Sequence, residues 1–511
     1  MKSLRVLLLS FLGGLFISCN AQSLSSIIMT EGGKVEGTVE NGIKVFKGIP
    51  FAAPPVGELR WRAPQPVKPW EGVRKADKFA PGSIQNQKLE QSEDCLYLNI
   101  WTTANSDKQK LPVMVWIHGG GFSAGAPLEP TYFGQELTRK GVIFVSIAYR
   151  LGTLGFFAHP DLSAESPNKV SGNYGLLDMI EALKWVRKNI SAFGGDPDKV
   201  TIFGESAGAI AVSMLCASPL AKGLFWGAIS ESGGSFGPVG NTRQDGIISL
   251  KGAENSGVEF MKQLGVSSIA ELRKMDPQEW FKSPAARMSF WPNADGYIIP
   301  DDQYKLYEAG KFNDVNVIVG TNSDEGAMFA RPTEPDVYKK GIENRFGDFA
   351  AKILKAFPGD TKEQAQFSTA DIFTATAFAW PSWAWARLQS RTGKSKVFLY
   401  YFNQQQQKTP FMSIAPRGAQ HSAEIKYVLQ TMDPKTTGAD DLKLSELMAT
   451  YWTNFAKYGD PNGKNLPVWP KFKEKKSSVM YLNSNPKQGP VPNLDKLELM
   501  EQYFKYRRES K

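Results

Sequence analysis

Histidine and cysteine are scarce in this chain, at three of each among 511 residues. His118, His159 and His421 lie far apart, and neither they nor Cys19, Cys95 and Cys216 show the short spacing of a metal-ligand set, so no metal is expected. The same cysteine count excludes a disulfide-stapled scaffold. No run of about 18 apolar residues occurs, so no lasting membrane span is expected. No stretch is polar and core-poor enough to read as disorder. The formal charge is +9, but lysine and arginine are scattered. The densest basic run, Lys471–Lys476, has no aromatic ladder beside it, so nucleic acid is not an expected partner.

What is present starts with an address. "MKSLRVLLLSFLGGLFISCNAQ" places Lys2 and Arg5 before a twelve-residue apolar segment, Val6 to Ile17, the pattern of an export signal. Two exits are open: cleavage before Gln22, or lipidation of Cys19 in "LFISC", which is similar to a bacterial lipobox. The expected product is exported, either free in the periplasm or medium or held to a membrane by lipid on Cys19. The rest, residues 22–511, reads as one domain, and the sequence sets no oligomeric state.

Along that domain, apolar strand patterns alternate with helical ones. "LPVMVWI", "GVIFVSIAYR", "KVTIFG", "LFWGAIS", "VNVIVGTN" and "KVFLYYFN" read as strands. Leu176, Ile180, Leu183, Val186 and Ile190 recur at helical spacing, and "LSELMATYWTNFAKYG" reads as a late helix stopped by Gly459 and Pro461. The expected fold is α/β, a mostly parallel central sheet with helices on both faces. Residues 235–315 and 330–395 are the expected insertions over the sheet.

The pentapeptide Gly-x-Ser-x-Gly occurs three times, centred on Ser123, Ser206 and Ser235. A nucleophilic serine needs a strand, a tight turn and a helix, so that the turn exposes the hydroxyl and the helix N-terminus faces the developing oxyanion. Only Ser206 has that context, with "VTIF" before it and "AGAIAVSMLCAS" after it. Ser123 runs into two prolines and Ser235 into "FGPVGN". In such folds the chain order is serine, acid, histidine, and His421 is the only histidine after Ser206. An acid is expected between them at a strand end. "VNVIVGTNSDEG" offers Asp324 and Glu325, which spacing does not separate. "HGGGF", His118 to Phe122, follows a strand and offers backbone N–H groups for an oxyanion, joined by the N–H of Ala207.

With those residues in place, the chain resembles the type-B carboxylesterases of the α/β-hydrolase fold. "KGIPFAAPPVGELRWRAPQP", "SEDCLYLNIW", "HGGGF", "AYRLGTLGF", "FGESAGA", "TNSDEG", "HSAEI" and "YWTNFAKYGDPN" are similar to family blocks, in the family's order. The resemblance implies a catalytic triad of Ser206, Glu325 and His421 and an oxyanion hole of Gly120, Gly121 and Ala207. It further implies a buried Glu205 that tunes the site, an Arg60–Glu93 ion pair and no cofactor. It departs from the family at the loop that elsewhere supplies a cysteine to the one of "SEDC". Here that loop holds Ser83, so Cys95 is expected to be free, and the choline-binding tryptophan of cholinesterases is absent. The implied activity is hydrolysis of small-molecule esters, short-chain or aromatic. A lipase and a non-catalytic, neuroligin-like binding module are the competing readings. Phe290, Trp291, Trp380, Trp383 and Trp385 are candidate pocket residues.

Overall fold

Strands buried on both faces carry unbroken apolar runs, and such strands form the centre of this molecule. The computed structural model describes residues 26–242, 246–407 and 414–510; the export segment and Cys19 lie outside them. Eleven strands form one sheet. They are β1 (Thr38–Glu40), β2 (Ile43–Pro50), β3 (Tyr97–Thr102), β4 (Leu111–Ile117), β5 (Ile143–Ile147), β6 (Gly195–Glu205), β7 (Gly227–Glu231), β8 (Asn316–Asn322), β9 (Val397–Phe402), β10 (Val479–Leu482) and β11 (Lys487–Gly489). Their spatial order is β1-β2-β3-β5-β4-β6-β7-β8-β9-β10-β11. Pairing is parallel from β5 to β10 and antiparallel toward both edges. The expected strands all form, though "GVIFVSIAYR" is extended only over Ile143–Ile147.

The main helices are α1 (Tyr174–Asn189), α2 (Ala207–Ala217), α3 (Leu250–Leu264), α4 (Pro335–Phe346), α5 (Lys362–Thr374), α6 (Trp380–Thr392), α7 (Ala439–Tyr458) and α8 (Leu494–Glu509). Alternate strand side chains feed two cores. Val113, Val115, Ile117, Ile202 and Val319 pack with α1, α2 and α6 on one face. Met114, Trp116, Phe203, Ile318 and Phe398 pack with α7 on the other. Helix α7 stops where the sequence indicated, at Gly459 in the left-handed region (φ 63°).

The two expected insertions differ in kind. Residues 235–315 carry α3 and a small separate sheet of Val239–Gly240, Ile247–Ser249 and Asn293–Ala294. Of residues 330–395, α4 and α5 come first, but α6 belongs to the sheet-packing core, with Trp380, Trp385 and Leu388 fully buried. A π turn, Ala375–Ala379, joins α5 to α6. It sits just before Pro381, which lacks the N–H that a regular turn would use.

Two ion pairs, one partly and one fully buried, fasten loops to this frame. Arg60 forks onto Glu93, with Nη2 2.5 Å from Oε1 and Nε 2.7 Å from Oε2. Its third nitrogen, Nη1, reaches the carbonyls of Leu272 and Met275 at 3.2 and 2.8 Å, tying the N-terminal loop to the first insertion. Arg150 forks onto Asp178 of α1 at 2.7 and 2.8 Å, and both side chains are buried. Cutting one partner of such a pair strands a charge in a low-dielectric interior. Arg150→Met is therefore expected to cost about 3–5 kcal/mol, read as a lowered urea midpoint at unchanged slope. An unmoved midpoint would show that Asp178 finds another partner.

Candidate active site

In parallel sheets, loops at the carboxyl ends of the strands gather the functional groups, and four of them meet here. The loop after β6 is the tightest. Ser206 lies between the last residue of β6 and the first of α2 at φ 55°, ψ −121°, a conformation that β-carbon residues avoid. Holding it costs on the order of 1–3 kcal/mol, so the surroundings must enforce it. They do so by crowding. A β-carbon on Gly204 would sit 2.4 Å from the Ile117 carbonyl oxygen, and one on Gly208 would sit 2.0 Å from the same atom. Only glycine lets β6, β4 and α2 approach this closely. The Ser206 amide is held by the Glu231 carbonyl at 2.9 Å, and the Ser206 carbonyl accepts from Ile210 of α2 at 2.9 Å.

His421 reaches the Ser206 hydroxyl with Nε2, at 2.9 Å. Its Nδ1 lies 2.6 Å from Oε2 of Glu325. With the Nδ1 proton on the Glu325 side, Nε2 accepts from the serine hydroxyl. Glu325 is fully buried and fixed through Oε1, which accepts from the Asn322 amide at 2.7 Å. Asp324, which the sequence left level with Glu325, turns the other way: its carboxylate accepts from the Arg417 amide at 2.6 Å. The acid and histidine loops are stitched together. Asp324 N–H donates to Ala419 at 2.8 Å, and Ala419 N–H donates to the Ser323 hydroxyl at 2.8 Å. Neither of the other candidate serines touches His421. The Ser123 hydroxyl faces its own loop at the Gly120 carbonyl, 3.4 Å away, and Ser235 is anchored by its amide on the Ser213 hydroxyl at 3.1 Å.

The glycine loop after β4 faces the same point. Gly120 and Gly121 have φ of 95° and 64°, and a β-carbon on Gly120 would sit 2.1 Å from the Ala124 carbonyl oxygen. The Gly120 carbonyl closes the turn by accepting from Ser123 and Ala124. Among the described residues, no protein acceptor takes the amide N–H of Gly120, Gly121 or Ala207. Gly120 and Gly121 line the same cavity as Ser206. His118, which opens the loop, is buried and stacked on Tyr149 at 4.5 Å; burial holds its pKa down at about 4.

A nest of carboxylates surrounds the imidazole. Glu205 Oε1 lies 3.2 Å from His421 Nε2 and accepts from the Ser422 hydroxyl at 2.6 Å. Glu424, which sequence reasoning passed over, accepts from Asn322 Nδ2 and, at 3.2 Å, from the Ser232 hydroxyl. Its only trace in the sequence was the Glu of "HSAEI". Burial pushes the Glu205 pKa up to about 6, against the pull of His421 and Ser422. Burial, helped by Glu205 and Glu325, pushes Glu424 up to about 8. For His421, burial alone would lower the pKa; the charges on Glu205 and Glu325 outweigh it and hold the value at about 9.

A cavity of about 750 Å³ opens above Ser206 and His421. Its aromatic wall is Tyr132, Trp291, Phe329, Phe373, Phe378 and Phe504, with Phe378 stacked on His421 at 4.6 Å. Of the aromatics singled out in the sequence, only Trp291 lines it. Phe290 packs against Phe157 and Phe260 in the core. Trp380 packs on Phe504 and donates to Glu501 at 2.8 Å, and Trp385 donates to Gln389 at 2.8 Å. Trp383 lines a separate cavity of about 250 Å³ behind Asp324. The wall comes instead from Phe329, after the acid loop, from the π turn and its flanks, and from α8, which no local pattern linked to the site. Cys95 is buried and unbridged, as expected, and burial pushes its thiol up to about 12.

Comparison with known proteins finds relatives over most of the chain. The model of the carboxylesterase family matches residues 24–501. The chain is 38% identical to fumonisin B1 esterase of Sphingopyxis macrogoltabida, over 90% of this chain and 87% of that one. It is 36% identical to para-nitrobenzyl esterase of Bacillus subtilis (strain 168), over 90% and 95%. It is 33% identical to human cocaine esterase, over 93% and 91%. A solved PNB esterase structure superposes with a TM-score of 0.81 at 34% identity, covering 94% of this chain and 99% of that one.

The carboxylate nest makes a spectroscopic prediction. The downfield Nδ1–H resonance of His421 should titrate with a midpoint well above the ordinary histidine value. Glu205→Gln removes a negative charge beside Nε2 and should lower that midpoint by about one to two pH units. An identical midpoint in the variant would mean that Glu205 does not act on the imidazole.

Proposed function

This chain belongs to the carboxylesterase family and is an ester hydrolase, and from that premise we propose that Ser206, His421 and Glu325 carry its reaction. His421 Nε2 takes the proton of the Ser206 hydroxyl as the oxygen attacks the ester carbonyl. The carbonyl π electrons move to its oxygen, which the N–H groups of Gly120, Gly121 and Ala207 receive. Collapse of that oxyanion breaks the bond to the alcohol, which leaves with the proton from His421. Water, deprotonated by His421, then attacks the acyl-serine, and collapse of the second oxyanion frees the acid and restores Ser206. Glu325 holds the ring tautomer and balances the imidazolium charge at each stage.

The observation that carries this reading is the hydrogen-bonded chain Ser206–His421–Glu325, at 2.9 and 2.6 Å, set beside three unclaimed amides. A binding module has no use for a strained serine, and this chain keeps every part that such modules discard. The aromatic cavity wall supports short-chain or aromatic esters as substrates. The signal-like N-terminus supports export, with Cys19 as the lipid anchor if it is retained.

Because His421 must be neutral to act as a base, a raised pKa puts the acid limb of kcat/KM in the neutral to alkaline range, with activity lost as pH falls through it. A para-nitrophenyl ester series from acetate to palmitate tests the assignment. The expected result is fast turnover of short chains, and Ser206→Ala slower by on the order of 10⁵-fold or more. Activity that jumps above substrate solubility would favour a lipase instead, and an active Ser206→Ala would remove Ser206 from the mechanism.

A further inference from the structure

Resting on that reading of the site, we propose that Arg345 is a specificity-determining residue that receives a carboxylate carried by the ester substrate. Arg345 stands in the last turn of α4 and lines the cavity that holds Ser206 and His421. Arg345 is exposed and borders both that cavity and an adjoining groove of about 430 Å³. Its five N–H donors are nearly idle. One hydrogen bond is made, from Nη2 to the Thr376 hydroxyl at 3.2 Å, and Thr376 lines the same cavity. No ion pair reaches Arg345 among the described residues, whereas the buried arginines Arg60 and Arg150 are each forked onto a carboxylate.

The walls do not neutralise it. Among the described lining residues of the cavity and the groove, the only acid is Glu205, which is engaged with His421 and Ser422. The groove adds a second guanidinium, Arg331, whose one hydrogen bond goes to the carbonyl of Ala330 at 3.3 Å. The helix C-terminus does not use Arg345 either, since the guanidinium donates to no carbonyl of α4. A cation in an aromatic-walled cavity pulls anions inward, and a planar fork with free donors matches a carboxylate in particular. The ligand class that follows is an ester whose acyl or alcohol part bears a carboxylate, as in a half-ester of a dicarboxylic acid.

The test uses matched mono-para-nitrophenyl esters of succinate, glutarate and adipate beside the neutral butyrate, valerate and hexanoate esters. Free dicarboxylates serve as competitive inhibitors that do not depend on which side of the ester carries the charge. The wild type should favour the charged ester of at least one length. In Arg345→Gln that charged-to-neutral kcat/KM ratio should fall by roughly 10–100-fold, mostly through KM, and inhibition by the dicarboxylate should weaken in step. Arg345→Lys should recover part of the ratio, and added salt should shrink it in the wild type. An unchanged rate on the neutral esters shows that the variant is folded. If the ratio and the inhibition are the same in wild type and Arg345→Gln while neutral esters are hydrolysed, this inference fails alone. If the wild type cleaves neither class, the hydrolase mechanism fails and takes the inference with it.

Discussion

The contact between the Ile117 carbonyl and two glycines, Gly204 and Gly208, governs the rest of the molecule. It lets β4, β6 and α2 converge within the space of a missing side chain. Convergence forces the residue between β6 and α2 into a left-handed turn, and the turn pushes the Ser206 hydroxyl off the sheet toward His421. The same closeness brings the glycine loop after Ile117 alongside the N-terminus of α2. Gly120 and Gly121 therefore line the same cavity as Ser206, and their amides and that of Ala207 have no protein acceptor among the described residues. The strain at Ser206 is offset by the burial of both cores around it.

Charge is the second organising force. Glu205, Glu325 and Glu424, all buried, crowd one imidazole, and each carboxylate has a fixed donor: Ser422, Asn322 or Ser232. Glu231, a step deeper, receives Trp452 at 2.8 Å, and burial pushes its carboxyl well above the usual carboxylate range. Such a nest favours the imidazolium that forms when the serine is deprotonated. It also makes the resting imidazole hold its proton more tightly, so the site trades acid-side activity for stabilisation of charge during the reaction.

Much of this was legible in the sequence because it depends on local pattern. The elbow needs glycines at fixed offsets between a strand and a helix, and only Ser206 among three pentapeptides has both neighbours. His421 followed from chain order and scarcity. The acid illustrates the limit of spacing: Asp324 and Glu325 share a loop, and only their opposite hydrogen-bond partners, Arg417 and His421, distinguish them in space. The family resemblance named Glu325 where residue logic stopped. The pocket wall was the least legible part. Trp380 and Trp385 are candidate pocket residues in the sequence but lie on a helix that packs against the sheet. Phe504, which does line the cavity, lies on a helix whose pattern says nothing of the site.

The account stands or falls on which serine hydroxyl is nucleophilic. Brief treatment of the folded protein with a fluorophosphonate, followed by digestion and mass analysis, reads that directly. A single adduct on the peptide carrying Ser206, lost when the protein is unfolded first, is the predicted result. An adduct on Ser123 or Ser235, or labelling that survives unfolding, would contradict it.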